Sequence, residues 1–219
     1  QELNKIYATT KNYFPKGLLV GSAGLTKSIL TSVKSTSYKP RNFRIRQKSF
    51  ALISLSSHPI TKMHFIKLST HNEILHISID TDALLCKKSF DKEYDRVSYI
   101  IDYAISTKQN IAINQSSQSA ITNPNAACIS KYLHIFLSKI SAKLLSSEFY
   151  KTLILIGGDT AHTVLQTAHI KEINVVEEIL PGTVISFPEV EYTKKFRIIT
   201  KSGGFGDTNH ISDLLSKLL

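Results

Sequence analysis

The sequence has no long apolar run and almost no cysteine. No stretch approaches the roughly 18 consecutive apolar residues that a membrane-spanning helix requires, although 42% of the 219 residues are hydrophobic. The two cysteines, Cys86 and Cys128, are too few for a disulfide framework and show no paired-ligand spacing. These absences argue against a membrane protein and a disulfide-rich secreted domain, and they predict a globular protein of a reducing cytoplasm.

Several motifs of common enzyme classes are also missing. The chain has no Walker A pattern and no G-x-G-x-x-G after a first strand, which removes the two commonest nucleotide-binding folds. It has no G-x-S-x-G elbow of a hydrolase. Its eight histidines show no i, i+4 ligand spacing, so the sequence predicts no metal site built from protein ligands.

The net charge of +10 is concentrated near the start of the chain. Residues 1–48 hold ten Lys or Arg and one acid, whereas residues 49–219 hold 17 Lys or Arg and 16 acids. Six of the basic residues lie in segment 34–48, which contains no acid. We interpret this segment as an exposed linker. Nucleic-acid contact is the alternative, but no known binding module accompanies the charge.

Strand-like and helix-like segments alternate along the chain. Short apolar runs lead into corners rich in glycine, serine or proline, and then into segments with apolar residues at helical spacing. The longest helix is predicted from Pro124 to about Glu148. The pattern predicts an α/β fold, a three-layer αβα sandwich with a mostly parallel or mixed sheet. Its strands are expected at 18–20, 50–55, 73–80, 110–116, 153–156, within 174–187 and at 196–200.

Three polar corners follow predicted strands. Two are rich in glycine, at 157–160 and 202–206, and the third, at 54–57, is rich in serine. Ligands of such sheets lie beyond the carboxyl ends of the strands, where helix N-termini attract phosphate and glycine allows close approach to the backbone. Asp159 could hold Mg²⁺ through water, and Lys201 could supply positive charge. A Gly-Gly corner is more often only a turn, so spacing alone leaves both interpretations open.

The order of these corners resembles the four-carbon acid sugar kinases. The matching stretches are LLVGSAGL, ALISLSSHPIT, LILIGGDTAHTVL, EEILPG and IITKSGGFGD. Members of that family are two-domain enzymes that use ATP to phosphorylate a terminal hydroxyl of acids such as threonate, erythronate or 3-oxo-tetronate. The resemblance implies that residues 1–33 are the tail of an N-terminal substrate-binding domain, 34–48 a basic linker and 49–219 a C-terminal nucleotide-binding domain.

The resemblance also implies a set of nucleotide contacts. The ATP-binding positions of the family fall on Ser56, Gly157, Gly158, Asp159, Thr160 and Gly203, and Mg²⁺ is expected with the ATP. The chain departs from the family pattern at Leu55, where glycine is common, at Asp159, where glutamate is common, and at Gly204, where asparagine is common. No catalytic residue is assigned, because the acid that acts as base belongs to the family's N-terminal domain.

Two functional hypotheses follow. The first is the ATP-binding C-terminal domain of a four-carbon acid sugar kinase, inactive as a lone chain and meeting its sugar acid through an N-terminal domain. The second is a truncated or decayed relative that serves as a non-catalytic binding or assembly module. The sequence leaves a homodimer open and favours neither membrane nor nucleic-acid partners.

Overall fold

The computed structural model describes residues 2–32, 48–116, 126–189 and 196–218, and the chain forms two compact units, Gln1–Asn42 and Phe43–Leu219. The described part of the first unit holds helices α1 (Glu2–Tyr13) and α2 (Ala23–Ser32). Nearly all of the predicted basic linker, 34–48, lies outside the described residues, so the predicted domain boundaries stay a prediction.

The predicted strand at 18–20 is wrong. These residues have no regular structure, and the side chains of Leu18 and Val20 are 91% and 85% exposed. A strand pairs its backbone groups with a neighbouring strand, and the described part of this unit contains helices only. The apolar run is also too short to be assigned from its composition.

The second unit alternates strands and helices as predicted. Its elements are β1 (Phe50–Ser54), α3 (Pro59–Leu68), β2 (Ile74–Ile79), a 3₁₀ turn (Asp82–Leu85), α4 (Lys87–Ser106), β3 (Asn110–Gln115), α5 (Ala126–Ser146), β4 (Thr152–Ile156), α6 (Gly158–Thr167), β5 (Ile173–Leu180), β6 (Thr183–Pro188), β7 (Arg197–Lys201) and α7 (His210–Leu218). The predicted start of α5 at Pro124 lies outside the described residues.

The seven strands form one sheet in the order β2-β3-β1-β4-β7-β6-β5. The first five strands of this order are mutually parallel, and β6 and β5 continue the sheet antiparallel. All residues of β1 and β4 are buried, as expected for central parallel strands that are covered on both faces. The prediction of a mostly parallel, mixed sheet is therefore confirmed.

Helices cover both faces of the sheet. Alternate residues of β1 belong to different cores: Ala51 and Ile53 pack with α4, α5 and α6, whereas Phe50 and Leu52 pack with α3 and α7. The predicted three-layer arrangement is confirmed. The strand register places Ser54 beside Ile156 and Ile156 beside Lys201, so the corners that follow β1, β4 and β7 lie next to each other.

Candidate functional site

An open cavity of about 450 Å³ lies beyond the carboxyl ends of β1, β3, β4 and β7. The strand order reverses at β1, with β3 and β2 on one side and β4 and β7 on the other. Ligands of open α/β sheets bind at such a reversal. The structure brings all six residues predicted to contact ATP to this cavity: Ser56, Gly157, Gly158, Asp159, Thr160 and Gly203. Their role as ATP ligands stays a prediction.

The N-terminus of α6 forms one wall of the cavity. Gly157 precedes the helix with φ +100, a left-handed conformation that favours glycine, and its amide donates to the carbonyl of Lys201 at 2.8 Å. No side chain among the described residues caps the helix, so its first-turn amides are left without a capping group. A Cβ placed on Gly158 meets nothing within 4 Å, which marks open space in front of the backbone.

Thr160 joins the first corner to the serine-rich corner. Its side chain is 1% exposed, and its Oγ1 accepts a 2.9 Å hydrogen bond from the amide of Leu55. The carbonyl of Leu55 in turn accepts from Nε2 of Gln115 at 2.6 Å. The structure thus shows a positioning contact for Thr160 that sequence reasoning did not assign to it.

Ser56 and Gly203 bring the glycine-rich corner at 202–206 against the serine-rich corner at 54–57. Oγ1 of buried Thr61 donates to the carbonyl of Gly203 at 2.7 Å, and Oγ of Ser56 accepts from the amide of His58 at 3.2 Å. A Cβ on Gly203 would lie 2.7 Å from Oγ of Ser56. A side chain at 203 would therefore make Ser56 or the turn move.

Leu55 occupies the position where the resembling family often has glycine. Its half-buried side chain lines the cavity and also packs against the core on the α4, α5 and α6 side of the sheet. The core contact holds part of the leucine side chain away from the ligand space. The cavity volume of about 450 Å³ is that found with this residue in its wall.

Helix α5 supplies a further wall, which sequence reasoning missed. Ile129 and Leu133 give this wall an apolar surface, and Ser130 and His134 add polar groups. The apolar stripe of the helix was visible in the sequence, but stripe residues normally indicate core packing. Only the placement of α5 beside α6 shows that one end of the stripe faces a cavity.

His134 is held in one orientation by a hydrogen-bond chain. Its Nδ1 lies 2.7 Å from Oγ1 of Thr163, and that hydroxyl donates to the carbonyl of Asp159 at 2.9 Å. A hydroxyl has one proton, so both contacts are satisfied together when Nδ1 of His134 carries the hydrogen. The neutral ring then has Nε2 as an acceptor on its other side.

Lys201, suggested by the sequence as a source of positive charge, is absent from the cavity wall formed by the described residues. It is 3% exposed and its Nζ donates to the carbonyl of Ser202 at 2.9 Å, behind the turn that carries Gly203. Burial lowers the pKa of Lys201 to about 8. The charge therefore lies behind the cavity wall and not on it.

Two negative findings apply to the described residues. No three His, Cys, Asp or Glu side chains in these ranges cluster as ligands of a metal ion. None of the helices there is long and apolar enough to cross a membrane. Cys86 and Cys128 are free and exposed.

Three solved structures share the fold. A Salmonella typhimurium LT2 protein has a TM-score of 0.64 at 18% identity, with 78% of this chain and 41% of that chain covered. A Bordetella bronchiseptica DUF1537 protein, crystallised with citrate as a domain-swapped dimer, has a TM-score of 0.60 at 15% identity and coverages of 78% and 40%. A Haemophilus influenzae DUF1537 protein has a TM-score of 0.59 at 18% identity and coverages of 100% and 51%.

The family comparison identifies the second unit. This chain spans two fifths to about half of the length of those solved relatives, and no curated protein matches it. A family model described as the nucleotide-binding C-terminal domain matches residues 51–211, which is more than half of the chain and includes the whole cavity wall described above. The chain therefore belongs to the nucleotide-binding C-terminal domain family of the four-carbon acid sugar kinases (DUF1537).

Proposed function

We propose that this chain binds ATP as the phosphoryl donor of a kinase that phosphorylates a terminal hydroxyl of a four-carbon sugar acid in a reducing cytoplasm. The observation that carries the proposal is the convergence of three separate corners, after β1, β4 and β7, on one cavity. An N-terminal domain would bind the sugar acid and supply the catalytic base. The isolated chain is therefore expected to bind nucleotide without turnover.

The phosphate end of the nucleotide fits the glycine corners. The amides at the start of α6 favour anions through hydrogen bonding and the helix dipole. Ser56 adds a hydroxyl: its oxygen already accepts from the amide of His58, and its own proton is available for a phosphate oxygen. Open space in front of Gly158 leaves room for the close approach that these contacts need.

The base end fits the α5 wall. Ile129, Leu133 and Leu55 are the apolar side chains of the described cavity wall, and a flat aromatic base needs apolar surface of this kind. The polar corners and the apolar side chains thus supply both chemical environments that a nucleotide requires.

Mg²⁺ fits this site only when it binds together with ATP, whose phosphates supply ligands. Asp159 is the acidic residue in the cavity wall that the structure describes. Mg²⁺ in phosphoryl-transfer sites keeps several waters and needs one or two carboxylates together with substrate phosphates. Asp159 would hold the ion directly or through water, and the ion would offset negative charge on the transferring phosphoryl group.

Calorimetric titration of the chain with Mg-ATP tests the binding step. We expect saturable heat with one site per chain at millimolar or lower nucleotide. Absence of heat and of thermal stabilisation at millimolar Mg-ATP would refute the proposal. Turnover is tested separately on the full-length protein with ATP and threonate, erythronate or 3-oxo-tetronate, with ADP release as the readout.

Dimerisation is a separate part of the proposal. The Bordetella bronchiseptica relative crystallised as a domain-swapped dimer, which motivates a homodimer here. Light scattering on the purified protein measures its mass directly. A monomeric mass would refute the homodimer and would leave the proposal of nucleotide binding unaffected.

A further inference from the structure

Lys201 is a buried lysine without an acidic partner among the described residues. It ends β7 and is 3% exposed. The ion pairs found in the described ranges are Glu93 with Arg96 and Asp102 with Lys143, and neither involves Lys201. A buried ammonium without a counter-charge is costly to the fold. Such a residue calls for an explanation outside simple packing.

The ionisable groups around Lys201 do not supply that counter-charge. The pKa values of His64 on α3 and His210 on α7 are lowered, chiefly by burial and in part by the positive charge of Lys201. Asp207 lies in the loop before α7, is exposed and uses its backbone carbonyl to contact His64. The neighbouring strands β4 and β6 contain no ionisable residue.

The ammonium is bonded to the turn that forms the cavity wall. Its Nζ donates to the carbonyl of Ser202 at 2.9 Å and is 3.5 Å from that of Gly203. The carbonyl and the following amide of a trans peptide point in opposite directions. The amides of Gly203 and Gly204 are thereby directed away from Lys201, and neither donates to a protein group within the described ranges.

We propose that Lys201 is the counter-charge for the nucleotide's phosphates, a role that rests on the proposed ATP function. The phosphates on one side of the 202–203 turn face the ammonium on the other. Lys201 also orients the turn, so that its two amides are presented to the anion. It is a positioning residue that acts through backbone and electric field, without touching the ligand.

In this arrangement the protein takes up protons when it binds the nucleotide. Burial lowers the pKa of Lys201 to about 8, so at pH 8 about half of the free protein carries a neutral amine. An anion across the turn favours the charged form and raises that pKa. The neutral half then takes up protons on binding. Phosphate groups, with a second pKa of about 6, and the buried neutral histidines do not titrate near pH 8.

The test is calorimetry of Mg-ATP binding at pH 8 in HEPES and in Tris, whose ionisation heats differ. The wild-type protein should take up about half a proton per ATP bound. Lys201→Met should take up none and should bind ATP at least about tenfold more weakly at pH 7, since one pKa unit corresponds to a factor of ten. Lys201→Arg, charged at every pH used, should retain affinity better than Lys201→Met and take up none.

The outcomes separate this inference from the proposed function. Wild-type protein that binds no ATP contradicts the function itself. Wild-type protein that binds ATP without proton uptake contradicts the inference alone and does not depend on how the variants fold. Uptake that persists in Lys201→Met assigns the proton to another group and also overturns the inference.

Discussion

The amide of Leu55 donates a 2.9 Å hydrogen bond to Oγ1 of Thr160. The two residues are distant in sequence, and this bond fixes the serine-rich corner after β1 against the first turn of α6. The family resemblance points to Thr160 as a ligand residue, which stays a prediction, and the structure shows that its oxygen also joins two corners of the cavity wall.

Thr160→Val should weaken both folding and nucleotide binding. The variant keeps the shape of the side chain but leaves the half-buried Leu55 amide unpaired, and the cost for a fully buried donor, about 1–3 kcal/mol, is the upper limit. Urea unfolding and Mg-ATP calorimetry measure the two effects. Thr160→Ser is the control, because it keeps the oxygen and removes only a methyl group. Equal ATP affinity in the two variants would show that the bond does not position the site.

Substitutions at Gly158 should separate binding from stability. A Cβ at Gly158 meets no other atom within 4 Å, so Gly158→Leu should fold normally and place its side chain in the ligand space. We expect ATP affinity to fall at least about tenfold, equivalent to about 1.4 kcal/mol. Calorimetry gives the affinity and thermal unfolding gives the stability. Unchanged ATP affinity in a folded Gly158→Leu protein would place the nucleotide elsewhere.

Gly203→Ala is expected to behave differently from Gly158→Ala. The new methyl at 203 would lie 2.7 Å from Oγ of Ser56 and force that side chain or the turn to move. We expect Gly203→Ala to lower both the midpoint of thermal unfolding and ATP affinity, whereas Gly158→Ala leaves the midpoint of thermal unfolding unchanged. Identical behaviour of the two alanine variants would contradict the close approach of Ser56 and Gly203.

His134→Asn tests the acceptor on the α5 wall. An asparagine amide can replace Nδ1–H in the bond to Thr163, but it has no group at the position of Nε2. If Nε2 accepts from the nucleotide, ATP affinity should fall about two- to tenfold, the range for one net hydrogen bond. His134→Gln, which places an amide near Nε2 instead, is the matched control. Full affinity in His134→Asn would exclude that contact.

Two buried histidines should make stability depend on pH. Burial lowers the pKa of His64 and of His210 from the ordinary value of 6.5. The unfolded chain therefore binds more protons below that pH, and stability is lost as the pH falls from about 6.5 towards the folded pKa values, with no contribution above 6.5. Each histidine adds at most about 1.4 kcal/mol per pH unit.

The variant His210→Gln isolates one of these contributions. Nε2 of His210 lies 2.7 Å from Oγ1 of Thr183, and a glutamine amide can replace that contact without titrating. Urea unfolding between pH 5 and pH 7 should show a shallower pH dependence for His210→Gln than for wild type. The exposed His162→Gln is the control and should follow wild type. If the free energy of unfolding of His210→Gln depends on pH as steeply as that of wild type, His210 does not contribute to the loss of stability in acid.

Local patterns were sufficient where one residue class dominates a segment. Strand β4 and the glycine corner after it could be predicted from the sequence, because a central parallel strand is apolar throughout and a sharp corner needs glycine. The three apolar residues at 18–20 show the limit of that reasoning. Their composition suits a strand, but a strand exists only where another pairs with it, and pairing is a tertiary property.

The sequence by itself determined the layered α/β class, the mostly parallel or mixed sheet and the presence of three polar corners after its strands, whereas the strand order that brings those corners to one cavity is tertiary. The first three features follow from periodicity, glycine placement and the rule that parallel strands end at one edge. The tertiary structure decided the α5 wall, the orientation of His134, the bond from Leu55 to Thr160 and the burial of Lys201. Each of these depends on contacts between residues far apart in the chain, which no local pattern records.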